Sequence, residues 1–127
     1  MHFLDANIFL EIELGDEHAQ QCKEFLQATD QLFTSDFVVY SCLLKIWKNV
    51  GLQKHMKDFL VFINSLDIRI IRPSPKAMYE AISIMERYKL DFDDALVVSC
   101  MKEYEIKNLV SYDQHFEKAK EITVIRP

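Results

Sequence analysis

Aspartate is the residue type most plainly set out for chemistry in this chain. Asp5 closes a short apolar run, and Asp113 follows another at Ser111-Tyr112. Asp91, Asp93 and Asp94 crowd the start of a stretch that is otherwise nearly all apolar from Phe92 to Met101. Any one of these acids has a plain explanation, because aspartate caps helices. Capping does not account for Asp94, which falls inside the first turn of a helix whose other faces are apolar. Several carboxylates brought to one crevice repel one another unless a cation lies between them. An oxygen-rich set without histidine or cysteine suits a hard ion, Mg²⁺ or Mn²⁺. Such an ion can activate water and neutralise charge developing on a phosphate.

Other chemistries find no support. Cys22, Cys42 and Cys100 are far apart and form no CxxC pair, so no zinc site is expected. They read as buried hydrophobes of a reducing cytoplasm. Neither glycine-rich phosphate-loop pattern occurs, nor the serine elbow of a hydrolase. His115 lies beside Asp113, but no second histidine stands at ligand spacing, so a histidine–metal role is not expected. Lys45, Lys48, Lys54 and Lys57 have two readings, as solvated helix faces or as guides for a phosphate. Tyr40 and Trp47 read as core or interface aromatics.

The elements that must position the acids alternate. Strands are expected at His2–Asp5, Gln31–Ser35, Ile68–Ile71, Asn108–Ser111 and Thr123–Ile125. A turn or short helix is expected at Ala6–Leu10, closed by Gly15-Asp16. Helices are expected at about Glu17–Ala28, Asp36–Val50 with Gly51 as stop, Lys54–Ser65, from the Ser74-Pro75 cap onward, Asp91–Tyr104 and Asp113–Lys120. The helix at Lys54–Ser65 should bury Met56, Phe59, Leu60 and Ile63, and the one after Ser74 should turn Met78, Ala81, Ile82 and Met85 inward. Residues 1–127 then form a single α/β domain: a three-layer α/β/α sandwich around a central parallel five-stranded sheet. In such sheets the functional crevice lies beyond the carboxyl ends of the strands, where Asp5 and Asp113 stand.

Composition narrows the partners. The 127 residues carry 20 acids against 15 bases, a net charge of −5. That disfavours a surface that grips nucleic acid everywhere, while leaving room for a local basic patch. No apolar run reaches the roughly 18 residues of a membrane span, and Met1-His2-Phe3-Leu4-Asp5 lacks the basic start of a signal peptide. A cytoplasmic protein without a membrane partner is expected.

Three segments resemble the signatures of the PIN-domain family. Leu4-Asp5-Ala6-Asn7-Ile8-Phe9 is similar to its opening hxDxN motif, Phe92-Asp93-Asp94-Ala95-Leu96 to its later "DA" helix, and Ser111-Tyr112-Asp113-Gln114-His115-Phe116 to its S/T-x-D-x-x-F segment. Their order and spacing match over essentially the whole chain. The resemblance implies a Rossmann-like sandwich and a Mg²⁺- or Mn²⁺-dependent ribonuclease. It implies Asp5, Asp94 and Asp113 as catalytic and metal-holding acids. Asn7 and Ser111 would orient Asp5 and Asp113; with the ion on the three acids, Asp93 or Asp91 is then the expected holder of outer waters. It further implies a toxin paired with a small antitoxin protein, often as a homodimer, acting on RNA. One position departs from the pattern. The family usually carries a glutamate about six residues beyond the serine ending the second strand. Counted from Ser35, that position is Ser41, a short neutral oxygen. Asp36 does not replace it, being about 140° away round the helix axis. The alternative reading is therefore a PIN-fold RNA- or protein-binding module with impaired catalysis. A phosphoacceptor domain fits less well, because the third strand ends in Arg72-Pro73 rather than an aspartate.

Overall fold

A computed structural model describes residues 1–127. Five strands form one sheet: β1 (His2–Leu4), β2 (Leu32–Ser35), β3 (Ile68–Ile71), β4 (Asn108–Val110) and β5 (Thr123–Ile125). Their order is β3-β2-β1-β4-β5, and every pairing is parallel. Phe3 on the central strand pairs with Phe33 on one side and Leu109 on the other. Apolar residues on successive positions of β1 and β4 are what a strand covered on both faces requires. The expected parallel five-stranded α/β architecture is present.

Six helices cover the sheet: α1 (Ala6–Leu14), α2 (Ala19–Ala28), α3 (Asp36–Val50), α4 (Gln53–Ser65), α5 (Pro75–Tyr88) and α6 (Phe92–Glu103). A short 3₁₀ helix spans Gln114–Lys118. Helices α1 to α4 pack among themselves, and α5 packs on α6. With right-handed crossovers, the reversal of strand order puts these two groups on opposite faces. Helix α6 is buried from Ala95 through Met101, as an all-round apolar helix must be.

Local chemistry explains where elements stop and where they depart from expectation. Helix α1 runs to Leu14 rather than ending near Leu10. Asp5 caps its start, and Gly15, at φ 66°, supplies the left-handed residue that ends it. Helix α2 starts at Ala19, not Glu17, because the Glu11 carboxylate accepts the His18 backbone N–H at 2.8 Å and holds the chain outside the helix. The inward face of α5 is Ala77, Ala81 and Ile84, one step round from the expected Met78 and Ile82, which are exposed. The small alanines let α5 approach α6 closely enough for the Ser99 hydroxyl to donate to the Ala77 carbonyl at 2.6 Å. On α4, Phe59 and Ile63 are buried, but Leu60 faces solvent. The three cysteines are free and buried, as expected. No helix is long and apolar enough to cross a membrane.

Candidate active site

The strand order turns back at β1, with β2 on one side and β4 on the other. Asp5 follows β1 directly, and its backbone N–H donates to the Val110 carbonyl at 3.1 Å. Its Oδ1 accepts the Ala6 N–H at 2.8 Å, so it does cap α1. Ser111 follows β4 and is wholly buried. Its hydroxyl donates to Asp5 Oδ2 at 2.7 Å and accepts from Asn7 Nδ2 and from the Asp113 N–H, each at 3.0 Å. Asn7 Nδ2 also donates to Asp5 Oδ2 at 3.1 Å, and Asn7 Oδ1 accepts the Tyr112 N–H at 3.1 Å. The Ser111 hydroxyl and the Asn7 amide hydrogens are thereby fully used. Asp5 Oδ2 has both lone pairs engaged, and one lone pair of Oδ1 remains to face outward. The first and fourth strands are thus tied at their carboxyl ends through one serine.

Asp113 caps the 3₁₀ helix, its Oδ1 accepting the His115 N–H at 2.9 Å. Asp93 Oδ1 accepts the Asp94 N–H at 3.1 Å. Asp91 holds the N-cap position of α6 but makes no side-chain capping bond. Asp94 sits half-buried one turn in. Burial pushes its carboxyl up to about 7, and the nearby charges of Asp93, Asp113, Asp5 and Asp91 add to this. Burial also raises Asp5. The hydrogen bonds from Ser111 and Ala6 oppose the rise, Asp113 adds to it, and Lys45 pulls the other way. Three acids from distant parts of the sequence therefore feel one another's charge.

All of these except Ser111 line a single crevice of about 540 Å³: Asp5, Asn7, Ser41, Asp91, Asp93, Asp94 and Asp113, with Lys45 and His115 beside them. Ser111 lies beneath its floor. Ser41 does face the crevice, the position the resemblance assigns to a glutamate. Asp36 does not line it. It lies within 3.6 Å of Arg72, in keeping with its expected exclusion. Tyr40 and Trp47 are exposed rather than in the core.

The donor chemistry fits a divalent cation. Asp94, Asp113 and His115 each offer a ligand atom, and these atoms lie within 4.8 Å of one another. An ion with bonds of about 2.1 Å spans about 4.2 Å between opposite ligands, so only small side-chain movements separate this arrangement from a bound state. The mutual repulsion of the carboxylates around Asp94 is the other half of the fit, because a cation would relieve it. His115 is the member that its sequence position did not announce. It meets Asp94 from a different element, so spacing between histidines carries no signal. The usable signal was its place two residues after a capping aspartate, within one 3₁₀ turn.

Known proteins divide into near folds and distant sequences. No protein of curated function matches the chain. The VapC20 toxin of Mycobacterium tuberculosis, which cleaves the sarcin–ricin loop, superposes with a TM-score of 0.86 at 18% identity, covering 100% of both chains. A toxin–antitoxin complex from Klebsiella pneumoniae gives 0.77 at 15% identity over 97% of this chain and 96% of that one. VapBC2 of Rickettsia felis, bound to a DNA fragment from its promoter, gives 0.75 at 17% over 98% and 97%. At such identities these likenesses establish the fold. The PIN domain family model matches residues 2–122 and takes in all three acidic segments of the crevice, and so the chain belongs to the PIN-domain family.

Proposed function

We propose that this chain is a metal-dependent endoribonuclease of the toxin type, hydrolysing RNA phosphodiesters in the cytoplasm. The observation that carries the reading is the convergence of Asp5, Asp94 and Asp113 in one crevice at the strand-order reversal. Asp94 and Asp113 would hold Mg²⁺ or Mn²⁺ directly, and Asp5 would join them through its remaining Oδ1 lone pair. When bound, the ion supplies charge neutralisation and water activation at a phosphate. The chain's own residues do the positioning. Asn7 and Ser111 hold Asp5 in one orientation, and Ser111 fixes the backbone of Asp113. Asp91 and Asp93 are exposed at the rim and would hold outer waters. Lys45 presents a cation at the same crevice, suited to receiving an RNA phosphate.

The partner reading rests on surface chemistry. Tyr40, Leu44 and Trp47 are exposed at helical spacing on α3, as are Leu52 just before α4 and Leu60 and Val61 on it. An apolar surface of this kind fits a small antitoxin protein. Exposed Met78, Tyr79 and Ile82 on α5 suit a homodimer. A clean monomer in sedimentation at high micromolar concentration would count against that pairing.

A second reading keeps the fold but not the catalysis: an impaired RNA- or protein-binding module. Ser41 favours it, because the crevice has one carboxylate fewer than the family usually supplies. One experiment separates the two. A structured RNA is incubated with the protein and Mn²⁺, with and without EDTA, beside Asp5→Asn. The enzyme reading expects cleavage that EDTA and Asp5→Asn each abolish. Cleavage that survives both would overturn the mechanism. Stoichiometric RNA binding without cleavage at millimolar Mn²⁺ would favour the module.

A further inference from the structure

We propose that His115 is a direct nitrogen ligand of the metal, and that it turns this site toward Mn²⁺ over Mg²⁺. The inference rests on the metal-dependent reading above and goes beyond it by naming a ligand and an ion preference. The geometry is the first support. A ring nitrogen of His115 lies within 4.8 Å of ligand oxygens on both Asp94 and Asp113. Its Nδ1 is 3.3 Å from Asp113 Oδ1. The backbone holds the residue there, because the His115 N–H donates to that same oxygen at 2.9 Å. The ring itself is largely exposed, 66% for the side chain, so it can turn without disturbing the core.

The second support is what the crevice lacks. Ser41 offers the same crevice only a neutral hydroxyl, and its short side chain makes a weak donor for a hard cation. A site with one carboxylate fewer needs another donor, and His115 is the neutral donor that lies among its acids. The exchange alters selectivity. Mg²⁺ prefers oxygen and retains its waters, whereas Mn²⁺, as a first-row transition ion, takes nitrogen donors as well as carboxylates. Replacing an oxygen by a nitrogen should therefore weaken Mg²⁺ binding more than Mn²⁺ binding.

The bland explanation is that His115 only pairs with Asp113 at the protein surface. The full chain can be probed with Mn²⁺ alone at pH 8. Pulsed electron paramagnetic resonance of bound Mn²⁺ should detect ¹⁴N coupling in the wild type and none in His115→Ala or His115→Asn. Calorimetry should find Mn²⁺ affinity reduced about 10-fold or more in both variants, with Mg²⁺ affinity changed less than 3-fold. Melting temperatures in EDTA should match the wild type, which confines the effect to the ion. Stoichiometric Mn²⁺ binding without nitrogen coupling, or equal losses for both ions, would overturn the role of His115 and leave the ribonuclease reading standing. If the wild type binds neither ion at millimolar concentration, both fall.

Discussion

Asp94→Asn should make the metal-free protein more stable at pH 8. Asp94 is half-buried among carboxylates, and its carboxyl is pushed from 3.8 up to about 7, first by burial and then by Asp93, Asp113, Asp5 and Asp91. The folded protein therefore holds this proton more tightly than the unfolded chain does. Stability from the protonated group is fully present below pH 3.8 and is lost as pH rises through 7. Between those limits the energy difference is about 4 kcal/mol for a fully shielded group. Half-exposure and solvent screening reduce this to about 1–2 kcal/mol. Asparagine resembles the neutral acid in shape and cannot ionise. At pH 8 in EDTA, Asp94→Asn should melt about 4–8 °C above the wild type, at about 4 °C per kcal/mol for a domain of this size. At pH 4 the difference should have largely closed. Titrating groups outside the crevice are common to both proteins and cancel in the difference; the coupling of Asp5, Asp91, Asp93 and Asp113 to residue 94 is the repulsion already counted in its shift. Saturating Mn²⁺ should invert the order, since an ion at 100 times its Kd stabilises the wild type by about 2.7 kcal/mol and the variant has lost a ligand. The assay is calorimetric melting from pH 4 to 8, with EDTA or with Mn²⁺. A variant no more stable than the wild type at pH 8 in EDTA, or a difference that does not shrink toward pH 4, would refute the electrostatic account of the crevice.

Ser41→Glu adds a carboxylate to the same crevice. It should lower melting temperature in EDTA and raise Mn²⁺ affinity about 10-fold, worth about 1.4 kcal/mol; Ser41→Gln should do neither, and identical behaviour of the two in Mn²⁺ would mean that residue 41 does not reach the ion. Ser111→Ala strands the Asn7 amide and the Asp113 N–H, so denaturant unfolding should reveal a loss of about 1–3 kcal/mol, with metal affinity by calorimetry down about 10- to 100-fold. Burial pushes the Cys42 and Cys100 thiols up to about 12. At pH 8 both should resist a thiol reagent in the native protein and react at once in denaturant, because the thiolate is the reactive form.

The strand–helix alternation was legible because each element carries its own punctuation. Ser35 accepts the Val38 N–H as a cap at one end of α3, and Gly51 takes φ 70° at the other. Helix α6 announced its burial by having no polar face. Rotation of a helix about its axis was harder to read. On α5 the apolar residues cover more than one face, so periodicity alone allowed Met78 and Ile82 to point inward. The choice is made by α6, whose close approach needs the alanines. The capping reading of Asp5 and Asp113 and the functional reading also turn out to be compatible. Each carboxylate caps with Oδ1 while facing the crevice. Ser111, 104 residues from Asn7, could be connected to it only through the family pattern. No local rule links an amide after the first strand to a hydroxyl after the fourth.

The charge balance of the crevice ties these details together. Asp5, Asp91, Asp93, Asp94 and Asp113 gather around one opening, and without an ion each added negative charge destabilises the fold. Ser111 and Asn7 relieve part of that repulsion by donating to Asp5, and Lys45 on α3 adds a smaller relief. Lys45 stands four residues beyond Ser41, one helical turn along the same face of α3. A glutamate at 41 would strengthen the grip on a cation and raise the apo repulsion. Serine at 41 with lysine at 45 shifts that balance the other way. The same wall then offers less to the metal and more to a phosphate. On the proposed ribonuclease reading, a site so built would bind RNA with less dependence on a tightly held ion. The relevant comparison is therefore the salt dependence of RNA binding in EDTA, where Lys45→Ala should reduce the slope of log K against log salt by about 0.7 if Lys45 meets a single-strand phosphate. An unchanged slope would assign Lys45 to the crevice's own acids alone.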